Sequence, residues 1–267
     1  PQTAMQMFAE KDRKDRKNKV YSLINRLKTS GVSNLEFFGG GFKYNAVLDR
    51  SGGVNRVKFV DGSGQECFVD SEGNCGGAQE LVNRVLKAYC RYEVLESLYK
   101  RGRTQTFYSK GVKYQVSEIN RDADNPANRK ITFTKYEAPS PAARRDKVSF
   151  HPTGEICDGN QEIADKDLAA YEDVVRKSHH LQFLYNSLDT ITPRFMEFRT
   201  ESEIFRVEPK VQSVSKFIHF KEVFEKGSPA RTTSIEFDVN IDNLDITPEH
   251  IDKDRAYKIL EKYIEQR

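Results

Sequence analysis

Residues 35–69, LEFFGGGFKYNAVLDRSGGVNRVKFVDGSGQECFV, and residues 79–101, QELVNRVLKAYCRYEVLESLYKR, decide the fold class of this chain. In the first stretch apolar side chains alternate with polar ones, the period of a half-buried strand. The pattern predicts strands at 35–38, 42–48, 54–60 and 67–70, with Gly39-Gly40-Gly41 turning the first hairpin. The period then changes to three and four. Leu81, Val82, Val85, Leu86, Tyr89, Leu95, Leu98 and Tyr99 form one apolar stripe and Gly102 follows it, so a helix covers 79–101. Strands with a covering helix make an α+β unit.

Toward the N-terminus, Val20, Leu23, Ile24 and Leu27 predict a helix stopped at Ser30-Gly31. The charged residues before it continue that helix as a solvated basic arm, residues 1–30. Toward the C-terminus a hairpin is expected at 104–109 and 112–119, turning at Lys110-Gly111, and a strand at 131–136 after an Asp/Asn/Pro loop at 121–128. Residues 138–145, APSPAARR, contain two prolines and resist any regular element. They predict a linker at 138–146 between an N-terminal domain, 1–137, and a C-terminal domain, 147–267.

The second half reads as a strand at 148–151, a turn at Thr153-Gly154, a helix at 165–188 and strands at 195–199 and 204–208. A further antiparallel pair is expected at 211–224 and 232–239, around Gly227-Ser228-Pro229. Thr247-Pro248-Glu249 reads as the start of a terminal helix: cap, proline in the first turn, acid at the positive end of the dipole. The expected fold is α+β, with two domains, each an antiparallel sheet covered by helices. Two Asp/Gly turns, at 60–64 and 69–73, echo one another but are too short to mark a repeat.

The 267 residues exceed the usual single-core size, which favours two domains. Charged residues reach 31% against a typical value of about 25%. Seventeen Phe and twelve Tyr still supply enough apolar area for real cores. The net charge is +3, and it is uneven. Residues 11–28 hold eight basic side chains against Asp12 and Asp15, a local +6 that leaves the remainder at −3. Cys67, Cys75, Cys90 and Cys157 form no CxxC and predict reduced intracellular, cytoplasmic thiols. No apolar run approaches the length that spans a bilayer, so no membrane association is expected.

No catalytic, metal or cofactor motif stands at the spacing its chemistry requires. From Asp238, the acids and amides at Asn240, Asp242 and Glu249 fit positions of a calcium loop, but Asn243 stands where the tight turn wants glycine. The plain reading is a polar loop. Asp238 and Asp242 also suggest paired carboxylates for catalytic magnesium, though no phosphate-cradling loop accompanies them. His151 and Cys157 flank one turn, where a Cys–His pair could activate a thiolate or simply be a buried thiol beside a histidine. His179 and His180 are adjacent, so on a helix they point about 100° apart.

The remaining constellation is basic and aromatic. Lys11, Arg13, Lys14, Arg16, Lys17 and Lys19 lie on the arm; Arg84, Lys87 and Arg91 recur at helical spacing; Tyr108, Lys110, Lys113 and Tyr114 share one hairpin. Such a set neutralises phosphates and stacks bases. The leading expectation is therefore non-enzymatic binding of RNA or single-stranded DNA, with no cofactor. The alternatives are a structural or adaptor subunit of a larger protein assembly, with protein partners or self-association, and a metal-dependent enzyme using Asp238 and Asp242.

Overall fold

The computed structural model describes residues 4–29, 31, 33–51, 53–119, 129–136, 146–224 and 234–266. The chain runs α1 (Ala4–Thr29), β1 (Asn34–Gly39), β2 (Phe42–Asp49), β3 (Arg56–Asp61), β4 (Glu66–Asp70), β5 (Cys75–Gly77), α2 (Gln79–Arg101). It continues with β6 (Gln105–Ser109), β7 (Val112–Ile119), β8 (Lys130–Tyr136), β9 (Asp146–Phe150), β10 (Ile156–Asp158), α3 (Gln161–Thr190). Last come β11 (Met196–Arg199), β12 (Ile204–Gln212), β13 (Ser215–Val223), β14 (Glu236–Asn240), β15 (Ile246–Thr247) and α4 (Lys253–Glu265).

The α+β expectation holds, and the strands form three five-stranded sheets in which sequence neighbours are sheet neighbours: β1–β5, β6–β10 and β11–β15. Each sheet is followed by a helix, so the described chain is a threefold β5α repeat behind α1. Two compact units are separated by contact: residues 1–103, 117–132 and 147–165, and residues 104–116, 133–146 and 166–267. The expected linker lies outside the described residues except for Asp146; the strands on its two sides, β8 and β9, are neighbours in one sheet. The loop at 121–128 and the turn at 227–229 also lie outside them.

In the first unit, Phe37, Tyr44, Ala46, Val57, Phe59, Cys67 and Val69 alternate onto one face of the sheet and pack with Val20, Leu23, Ile24 and Leu27 of α1 and Leu81, Val82, Val85 and Leu86 of α2. Period two meets period three-and-four across one apolar layer, and burial of that area drives both elements to form. The opposite face carries Glu36–Lys43, Asp49–Arg56 and Lys58–Glu66 ion pairs.

The repeat is written in aromatic contacts. Phe37 lies 5.7 Å from its cross-strand partner Tyr44 and meets Tyr89 of α2 edge-on at 5.7 Å and 67°. Phe107 stacks on Tyr114 at 4.9 Å and meets Tyr171 of α3 at 5.2 Å and 67°. Phe198 pairs with Phe205 at 6.1 Å and meets Tyr263 of α4 at 5.3 Å and 77°. Edge-to-face geometry aims the positive ring edge at the negative ring face, and each aromatic pair adds about 1 kcal/mol beyond its buried area.

Three expectations are corrected. Residues 211–224 are not one strand: the chain reverses at Ser213-Val214, where Ser213 has φ 56°, between β12 and β13. Thr247-Pro248-Glu249 does not start a helix; Thr247 ends β15, and Asp252 caps α4 by accepting the Arg255 amide at 3.0 Å. The turn at 69–73 is not an isolated echo, because its hydrogen bonds recur in all three repeats. Gly73, Gly154 and Leu244 donate to Asp70, His151 and Asn240 at 3.0, 2.9 and 3.0 Å, and all three have positive φ (82°, 95° and 60°).

Each of these turns is seated on an element from an earlier part of the chain. The Phe38 amide of β1 donates to Thr153 O at 3.0 Å, and the equivalent Tyr108 amide of β6 donates to Asn243 O at 2.9 Å. A sheet edge is thereby covered in both units. The first turn is seated on α1 instead: Arg16 Nε donates to Gly73 O and Lys17 Nζ to Glu72, both at 2.9 Å.

Candidate functional site

Successive helices are joined by ion pairs. Arg26 of α1 donates to both carboxylate oxygens of Glu96 on α2, at 2.5 and 2.6 Å, and to the Tyr92 hydroxyl at 2.7 Å. Arg91 of α2 is paired with Asp165 of α3. Lys177 of α3 bonds Glu261 of α4 at 3.1 Å and its own helix's Asp173 at 2.8 Å. Hydrogen bonding from Arg26 outweighs burial and holds the Glu96 carboxyl below its usual range. A depressed carboxyl supports the fold above its unfolded pKa, and that support is lost as acid protonates it. Glu96→Gln should therefore cost about 2 kcal/mol at neutral pH and progressively less on acidification, read by urea unfolding at several pH values.

The expected phosphate-binding residues are scattered. Lys11, Arg13, Lys14, Lys17 and Lys19 are exposed on α1 and Arg16 is half-buried; Lys17 and Arg16 are held by the Glu72–Gly73 turn. Arg84 is exposed, lies over the Phe42 ring at 4.7 Å and approaches the buried Asp61 at 3.6 Å. Lys87 is exposed. Arg91 does not track a phosphate backbone, because its side chain is 8% exposed and engaged by Asp165.

In the second unit Tyr114 faces the core, stacked on Phe107, and cannot offer its ring to a base. Tyr108 is half-buried; burial, then Asp245 and Glu249, raise its phenol pKa. Lys113 is exposed above the Tyr136 ring at 5.4 Å, and Lys110 stands exposed on its turn. Helical and strand periods placed Arg84, Lys87, Lys113 and Tyr114 on the correct faces, but put Arg91 on the polar face of a helix where it is in fact buried. They could not reveal which polar positions a neighbouring turn or helix would occupy.

The metal and thiol ideas do not assemble. The Asp238 carboxylate is bound by Lys210 at 2.5 Å and His219 at 2.6 Å, while Asp242 is exposed. Burial would raise the Asp238 pKa, but those two hydrogen bonds outweigh it and keep it low. Among the described residues no three His, Cys, Asp or Glu side chains are grouped to hold a metal ion. His151 Nδ1 is 3.2 Å from Arg129 O, and burial raises the Cys157 thiol, the opposite of thiolate activation. Burial likewise pushes Cys67 up to about 11.

One cleft was missed by the sequence reading. In the second unit, Ser109 and Lys110 of the β6–β7 turn, Lys166, Ala169, Ala170, Asp173, Arg176 and Lys177 of α3, and Glu261, Ile264 and Glu265 of α4 enclose about 550 Å³. Four cations face three carboxylates there. Of the expected residues only Lys110 belongs to it; the others sit on elements whose convergence no local pattern reports. Burial would raise Asp173, but Lys177 and Arg176 hydrogen-bond to it and hold its pKa low.

No protein-family model matches this chain, and neither a curated protein nor a solved structure matches it. No helix among the described residues is long and apolar enough to cross a membrane.

Proposed function

We propose that this protein is a non-enzymatic adaptor, a repeat-built structural subunit of a larger assembly. The observation that supports it is how the partly buried charges are used. Arg26–Glu96, Arg91–Asp165 and Lys177–Glu261 each tie one helix to the next. Charged groups committed to joining repeats are not available to move protons, and repeat architectures serve as extended partner-binding surfaces.

A second reading, RNA or single-stranded DNA binding, is favoured by α1. There Lys11, Arg13, Lys14 and Lys19 are exposed and have no ion-pair partner among the described residues. Sedimentation of nuclease-treated protein over a concentration series separates the two. The adaptor reading expects association that grows with concentration and ignores nuclease. A monomer throughout, with RNA affinity falling steeply in salt, would replace it by the second. In that case a Lys11→Ala, Lys14→Ala, Lys19→Ala variant should reduce the log–log salt slope by about 0.7 per lost contact on a single strand.

A further inference from the structure

The first two repeats share one hairpin turn, residues 37–44 and 107–114, and can be compared position by position. In the first, Gly39 lies directly on α2: a Cβ there would stand 2.4 Å from the Ala88 Cβ. In the second, Ser109 replaces Gly39 and Ala170 replaces Ala88, so the same approach is barred and the cleft opens between turn and helix.

Counting from Tyr89 and Tyr171, the other exchanges fall around the same space. Lys87 becomes Ala169, which clears volume. Gly40 becomes Lys110, Val94 becomes Arg176 and the buried Leu95 becomes Lys177, which bring charge into it. Lys177 keeps only 8% of its side chain exposed. Equivalent positions of a repeat meet equivalent packing demands, and an apolar residue satisfies them at lower cost than a cation. The exchange at Lys177 is met by its ion pairs with Asp173 and Glu261, whereas those that bring in the exposed Lys110 and Arg176 and clear Ala169 answer no demand of the buried core and converge on the same cavity.

We propose that this cleft binds a small phosphate-bearing molecule of sugar-phosphate or mononucleotide size. Its volume of about 550 Å³ is that of a small-ligand site. Lys110, exposed on its turn, and Arg176, whose Nη2 also bonds Asp173 at 2.6 Å, supply the phosphate contacts, and Lys166 lines the same cleft. Lys177 is fixed by Asp173 and Glu261 and contributes a positive charge that does not move. Glu265 is placed to accept from a ligand hydroxyl, and Ile264 covers an apolar edge.

Isothermal titration of the full chain with ribose 5-phosphate and AMP, against ribose, adenosine and inorganic phosphate, tests this. Both esters should bind at least tenfold more tightly than their phosphate-free counterparts. The double substitution Lys110→Gly, Ala169→Lys copies the first repeat at two exposed positions. It should weaken ester binding at least tenfold while leaving the far-UV circular dichroism unchanged. Equal affinity for ribose and ribose 5-phosphate, binding of inorganic phosphate without the esters, absence of binding, or undiminished binding by a folded variant would each overturn the assignment.

Discussion

Asp167→Val should make this protein more stable at neutral pH, by about 2 kcal/mol, and the gain should shrink toward pH 4. Asp167 is 2% exposed on the inner face of α3, and its Oδ2 has no hydrogen-bond partner. Counting four residues back from the helix tyrosine, the same position is Val85 in α2 and Ile259 in α4. Burial raises its pKa to about 6; Lys135 opposes the rise and Asp146 adds to it. An unfolded aspartate ionises near 3.8, so between pH 4 and 6 the folded protein binds the extra proton. Stability supplied by that proton is complete below this window and is lost as pH rises through it. Above pH 6 the wild type carries the full cost of a buried carboxylate, at about 1.4 kcal/mol per pK unit before solvent screening. Valine has no such cost and copies a residue the repeat already accepts. Urea unfolding of both proteins from pH 4 to 8 reads the difference; a gain independent of pH would show that Asp167 is not the titrating group.

The second large effect is expected at Gly154. Gly154→Ala should cost about 3 kcal/mol, against about 1 for Gly64→Ala. Both glycines have positive φ, 95° and 83°, so both substitutions incur the backbone strain of an L-residue there. A Cβ at Gly64 meets open space, whereas one at Gly154 would lie 2.6 Å from the Phe38 carbonyl oxygen. That carbonyl belongs to the strand edge on which the turn is seated, and the Phe38–Thr153 hydrogen bond lies beside it. The difference between the two midpoints isolates the seating contact. Equal midpoints would mean that the turn moves aside without loss.

Much of the local structure was legible. Four helices and most strands follow from period, and the core faces named for α1 and α2 are buried except at Tyr99, which is half-buried. The short strands β5, β10 and β15, two or three residues each, escaped because they are too brief to show alternation. Residues 211–224 read as one strand because Ser213-Val214 carries neither Gly nor Pro, the residues that usually announce a reversal.

The repeat was harder. The octapeptides FFGGGFKY, 37–44, and FYSKGVKY, 107–114, share Phe, Gly, Lys and Tyr in register and were the available signal. The third repeat keeps little of it beyond Phe198 and Phe205, which stand seven residues apart as Phe37 and Tyr44 do. Arg91 and Tyr114 show the same limit at the level of sites. Each has the composition of a phosphate or base contact, and each is turned inward to a partner that lies far away in sequence or across a strand.

The sequence by itself determined element type, the apolar face of each element and the α+β class, since these depend on side chains a few residues apart. Tertiary structure alone decided that three sheets repeat one plan and that Lys110 lines one cleft with Arg176 and Lys177. Those facts depend on contacts between elements far apart in the chain. The hydrophobic gain that selects them is set by fit between whole faces, and no single stretch of sequence carries that fit.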